Sequence, residues 1–76
     1  MMTQDRITLD PKVLLGKPVV RGTRIAVDFV LELLAKGWSE EQIRDQYPSL
    51  QREDILACCG YAAELLRSEK VYPRPA

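Results

Sequence analysis

The residues best placed to do chemistry lie in Gly16-Lys17-Pro18-Val19-Val20-Arg21-Gly22-Thr23-Arg24, where two glycines and three cations share nine positions. Such a stretch raises the question of phosphate binding. A phosphate-cradling loop needs glycines and then Lys-Ser/Thr between a strand and a helix N-terminus, with backbone N–H groups turned toward the anion. Here Lys17 follows the first glycine and precedes Pro18, which has no N–H to give. The cradle therefore fails, and Gly16 and Gly22 read as turns on either side of a strand. An isolated anion could still rest where Gly22-Thr23-Arg24 meets the helix that follows.

Other chemistry has less to work with. The chain holds no histidine and two adjacent cysteines, Cys58 and Cys59. Two sulfurs fall short of the four ligands of a structural zinc site, so no metal and no cofactor is expected. Bridging neighbouring cysteines needs a strained ring, so reduced thiols are expected, acting as small packing residues. No nucleophile stands at a fixed spacing from a base, and no catalytic residue is assigned.

At 76 residues, one small domain with a thin core is expected, able to bury about 60 to 65% of its unfolded surface. No apolar run is long enough to span a bilayer, and no leader-like segment opens the chain, so a cytoplasmic location is expected. The net charge is zero but unevenly spread: residues 1–25 carry five basic against two acidic side chains, the remainder six against nine. A basic arm thus precedes an acidic body.

The elements follow from patterning. Residues 6–10 alternate polar and apolar, as a half-buried strand does, and Asp10-Pro11 ends them. Residues 11–15 suit one short helical turn closed by Gly16, and 18–21 form a second extended run before Gly22. Such a pair needs a helix or a second chain to lie against. Residues 26–36 read as a helix whose only polar positions, Asp28, Glu32 and Lys36, form one stripe. So apolar a helix in so short a chain implies a partner, most simply a second copy, with Val19, Val20, Phe29 and Leu33 as contact candidates. Gly37 is placed to cap this helix in the left-handed conformation. Ser39-Glu40-Glu41-Gln42 reads as a capping box opening a short helix to about Tyr47, which Pro48 stops. A longer helix starts near Arg52, with Ile55, Cys58, Cys59, Ala62 and Leu66 as its inward stripe. Residues 68–76 contain Pro73 and Pro75 and read as a flexible tail.

The expected fold is therefore mainly α: a short β-hairpin arm over 1–25, then a three-helix, homeodomain-like helix-turn-helix core over 26–67. In such an arrangement the last helix enters a DNA groove. Gln51 and Arg52 at its start can read bases, while Glu53 and Asp54 oppose a polyanion, leaving Lys17, Arg21 and Arg24 for phosphate contact.

Taken together, Ile7 to Pro11, Gly16 to Ile25, Leu34 to Ser39, Glu41, Ile43, Tyr47-Pro48, Glu53 to Ile55 and Tyr61 to Ala63 closely resemble a bacterial and archaeal family. It is domain of unknown function family four hundred and thirty-three, described as VapB-type antitoxin-like. The resemblance implies a dimeric helix-turn-helix protein in a type II toxin–antitoxin pair, which binds and masks a PIN-like ribonuclease and represses its own operon. Because PIN-like sites are acidic, Arg74 in the tail is the candidate toxin contact. A stand-alone DNA-binding regulator and a plain dimerisation module are the competing readings. Two residues depart from the family pattern: Leu15 stands where a second glycine is common, and Gln51 replaces a capping Thr or Ser, a loss of about 0.5–1 kcal/mol.

Overall fold

A computed structural model describes residues 5–68, with the side chain of Ser68 left aside. Two short strands, β1 (Ile7–Leu9) and β2 (Pro18–Val20), precede three helices: α1 (Val27–Ala35), α2 (Glu40–Gln46) and α3 (Arg52–Ser68). The fold is thus the mainly helical, hairpin-led arrangement expected from the patterning. The terminal residues, including the tail and Arg74, lie outside the described residues.

The strands pair antiparallel in the register Ile7↔Val20, Thr8↔Val19 and Leu9↔Pro18. Val19 also bridges Ala26 on its other side, so β2 runs between two neighbours. Ile7 and Val20 face one core shared with Val27, Val30 and Leu33 of α1, Ile43 of α2, Leu50, and Ile55, Ala57 and Cys58 of α3. The hairpin, too weak to stand alone, lies against its own chain's helices.

That placement corrects the expected subunit contact. Val19 and Val20 are each 1% exposed and Leu33 is 7% exposed, all within a single chain. They have no surface left for a partner; of the four candidates only Phe29 stays at the surface. Helix α1 is covered on several sides by its own chain, with Leu31 and Leu34 half-buried against the core.

The helix ends follow local chemistry. Past α1, Gly37 takes φ +95°, its N–H donates to Leu34 O at 3.0 Å and that of Trp38 to Leu33 O at 3.1 Å. Both bonds are those of a Schellman cap. At α2, the Ser39 hydroxyl accepts from the Gln42 amide at 3.1 Å, and Gln42 Oε1 accepts from the Ser39 amide at 2.8 Å, completing the capping box. Before α3, Gln51 offers no side-chain cap. Asp54 compensates by accepting the Gln51 amide on Oδ2 at 2.8 Å.

The inward face of α3 differs from the expected stripe. Asp54, Ile55, Ala57 and Cys58 are buried and Tyr61 is half-buried, whereas Cys59 is exposed and Leu66 is 64% exposed. The face is rotated because an aspartate occupies it, which apolar periodicity does not anticipate. Its charge is met by Arg6, whose Nη1 lies 2.8 Å from Asp54 Oδ1.

The turn at residues 11–16 is not one right-handed helical turn. Val13 N–H closes a turn onto Asp10 O at 2.9 Å, and then Leu14, Leu15 and Gly16 all take positive φ, at 49°, 57° and 85°. Left-handed backbone costs about 1–2 kcal/mol at a residue with a Cβ, and Leu15 returns little packing because it is 96% exposed. Leu15→Gly is therefore expected to stabilise the fold by about 0.5–1 kcal/mol, after the greater unfolded-state freedom of glycine is discounted. Urea denaturation of the two proteins measures this, and a loss of stability would show that the Leu15 side chain does more than the turn reveals.

Candidate functional site

The opening motif is built to reverse the chain twice. Gly16 ends the left-handed turn and delivers Lys17 and Pro18 to β2. After Val20, Gly22 takes φ +81° and Thr23 ties the return: its amide and hydroxyl donate to Val20 O at 3.0 and 2.8 Å, and its oxygen accepts the Ile25 amide at 2.9 Å. The Val20 amide then donates to Ile25 O at 3.0 Å, which sets Ala26 at the start of α1. These glycines, the threonine and the valines are architecture; the cations are what the turns display.

They are displayed in different places. Lys17 and Arg24 line a cleft of about 470 Å³ with Leu14, Asp28, Phe29 and Glu32. Within it Lys17 Nζ is 2.9 Å from Asp28 Oδ2. Arg24 is exposed and makes no ion pair among the described residues. Phe29 on the cleft wall is fixed by an edge-on contact with Tyr47, ring centroids 5.4 Å apart. Arg21 lines a second cleft of about 510 Å³ with Asp5, Arg6 and Asp54, and its Nε donates to Asp5 O at 2.6 Å.

Gln51 and Arg52 line neither cleft and are exposed at the start of α3, although the Gln51 amide reaches Asp54 of the second cleft at 2.8 Å. Arg52 Nε is 3.4 Å from Glu40 Oε1, and Arg44 Nε is 3.2 Å from Glu40 Oε2, so one carboxylate at the head of α2 holds two arginines. The five residues expected to face DNA therefore do not line one common cleft. Lys17 and Arg52 are occupied by carboxylates of their own chain, and each such pair must be broken before its cation can neutralise a phosphate.

The vicinal cysteines are free, Cys58 buried and Cys59 exposed. The Cys58 thiol is pushed up to about 12, first by burial, then by neighbouring Cys59 and Asp54. A thiol held protonated is a poor nucleophile and a poor metal ligand. Cys59 alone is expected to react with a maleimide in the native protein. The raised value also has a stability consequence. Below the ordinary thiol value of 9.0 both states are protonated and the contribution is whole; as pH rises from 9 towards 12 the unfolded chain loses its proton while the folded chain keeps it. Stability should fall across that window by up to about 4 kcal/mol, and the extra slope should vanish in Cys58→Ala. Denaturation curves of both proteins from pH 8 to 11 check this.

One feature of α3 was not read from the sequence. Leu56 is 51% exposed and shares an outward face with Cys59, Ala63 and Leu66, all exposed. Its signal was available: apolar residues on α3 fill 55–59 without a break and recur at 61–63 and 65–66, which is more than a helix with one buried side needs. This face carries no base-reading donor between Arg52 and Arg67. Among the described residues no helix is long and apolar enough to cross a membrane.

Residues 7–62 match the family described as Protein of unknown function (DUF433). Uncharacterized protein y4eO of Sinorhizobium fredii is 43% identical over 56 residues, 74% of this chain but 25% of that protein, so the chain spans about a quarter of that relative's length. The crystal structure of a DUF433 member protein from Anabaena variabilis superposes with a TM-score of 0.78 at 28% identity, covering 88% of this chain and 66% of that one.

Proposed function

The chain belongs to the DUF433 family, and from the surface it presents we propose that it is the antitoxin of a type II toxin–antitoxin pair, neutralising a PIN-like ribonuclease by protein contact. The observation that carries this reading is Arg24: an exposed guanidinium without an ionic partner among the described residues, in a cleft walled by Leu14, Ile25 and Phe29. A planar cation flanked by an aromatic ring and aliphatic side chains suits a carboxylate on a protein partner, which supplies apolar surface around its charge. An acidic ribonuclease site has that chemistry. Arg74, which lies outside the described residues, stays the candidate that the sequence offers for the same contact.

Co-expression with the product of the adjacent gene tests the reading. A complex should co-purify, the neighbour's ribonuclease activity should fall in it, and Arg24→Glu should weaken the complex at least about tenfold, the loss expected on breaking a charge pair. Truncation after Ser68 measures what the tail adds. A neighbour harmless when expressed alone, with no stable complex, sinks the proposal.

A second reading, operator binding, is favoured by the exposure of Gln51 and Arg52 at the head of α3. A gel shift on the upstream DNA should then weaken steeply with salt and fail in the Arg21→Ala, Arg24→Ala double variant. The occupied state of Lys17 and Arg52 and the donor-poor face of α3 place it behind protein binding.

A further inference from the structure

We infer that the outward face of α3 is a self-pairing surface, on which a second copy of this chain docks antiparallel about a two-fold axis near Gly60 and Tyr61. Leu56, Cys59, Ala63 and Leu66 follow one another at steps of three, four and three, which at about 100° per residue confines them to roughly 80° of the helix circumference. That is the spacing of a helix–helix seam. All four are exposed, Leu56 by 51% and Leu66 by 64%, while the opposite side of α3 is spent on the chain's own core.

The occupant is identified by the face's symmetry. When α3 is laid antiparallel on itself, Leu56 meets the partner's Leu66 and Cys59 meets the partner's Ala63, and both layers repeat on the other side of the axis. Large residues thus lie at the two ends and small ones at the centre, where Gly60 also lets the backbones approach. The flanking charges fit the same register: Glu53 at one end of the seam comes opposite the partner's Arg67, and Arg67 opposite the partner's Glu53. In the single chain Glu53 is exposed, and among the described residues Arg67 is engaged only by Glu64, three residues before it, at 3.2 Å with both side chains exposed. A parallel arrangement sets Glu53 against Glu53 and Arg67 against Arg67. A helix of unrelated sequence has no reason to match all four layers and both charges. The inference is independent of the toxin reading, and it removes α3 from any DNA groove, because a paired face cannot also enter one.

One stripe per chain is smaller than the 20–30 residues a side of a standard interface, so the dimer is weak, with a Kd of about 10–100 µM. Sedimentation equilibrium of the full 76-residue chain from about 1 µM to 1 mM should show a reversible monomer–dimer equilibrium. Leu56→Glu should leave the far-ultraviolet spectrum and melting intact, since Leu56 is half exposed, and raise Kd at least about 100-fold. Glu53→Arg and Arg67→Glu should each raise Kd about threefold to tenfold, and the two combined should return it to within about twofold of the parent. Two outcomes overturn the inference. One is a chain monomeric throughout; the other is a dimer indifferent to Leu56→Glu or not rescued by the combined charge exchange.

Discussion

Replacing Ile43 by alanine is expected to remove about 3–4 kcal/mol of stability, most of what a domain of this size holds. Ile43 is fully buried and is the only buried residue of the seven in α2. A two-turn helix is far below the length at which helix propensity can sustain it in water. Its capping box and the Glu40–Arg44 pair contribute about 1 kcal/mol and a few tenths respectively, so the side chain of Ile43 is what attaches α2 to the rest. The chain's single tryptophan, Trp38, packs half-buried against the same core just ahead of α2 and gives a local probe. Urea denaturation followed by Trp38 fluorescence and by circular dichroism should show both transitions shifted together. Amide exchange should show α2 opening before α3. A loss below about 1 kcal/mol would falsify the view that this residue anchors α2.

Asp54→Ala is expected to cost about 2–3 kcal/mol, through two separate losses. Oδ2 accepts the Gln51 amide, in place of the side-chain cap that Gln51 does not provide, and Oδ1 pairs with Arg6 across a sequence separation of 48 residues. Breaking the second bond removes the ion pair between Arg6 and α3, while Ile7 still packs in the core shared with α3. The Arg6 side chain is 40% exposed, so solvent screens the pair, and Arg6→Ala alone should cost only about 0.5–1 kcal/mol. Asp54→Asn, which can retain the bond to the Gln51 amide, should fall between the two. A double-mutant cycle on Arg6 and Asp54 should return a coupling of about 0.5–1 kcal/mol. If Asp54→Ala proved no more costly than Arg6→Ala, the carboxylate would not be holding the start of α3.

The Asp54 result also shows where the amino-acid pattern stops being informative. The capping box at Ser39–Gln42, the left-handed stop at Gly37 and the break at Pro48 were legible, because each is satisfied by residues within a few positions of one another. The three helices and two strands followed for the same reason. The inward stripe of α3 was legible only in part. Ile55 and Cys58 fit the core pattern, but Asp54 is admitted to the interior by Arg6, from the far end of the chain, and no local rule reveals that partner. Leu14 and Leu15 are similar: residues with a Cβ do not announce left-handed backbone, and what forces it is the geometry joining the Asp10 turn to β2.

The functional residues divide along the same line. Lys17, Arg21, Arg24, Gln51 and Arg52 were recognisable as cations and donors in the sequence. Which of them are already occupied was decided by folding, which brought Asp28 to Lys17 and Glu40 to Arg52 and left Arg24 without an ionic partner among the described residues. Val19, Val20 and Leu33 were recognisable as residues that must be covered, while the tertiary structure determined that their own chain covers them. By itself the sequence determined the elements, their caps and the family signature, since these rest on backbone conformation and contacts one or two turns apart. Only the tertiary structure decided which charges remain unspent and which apolar face remains outside. Those properties depend on pairings between distant segments, and neither periodicity nor composition carries their register.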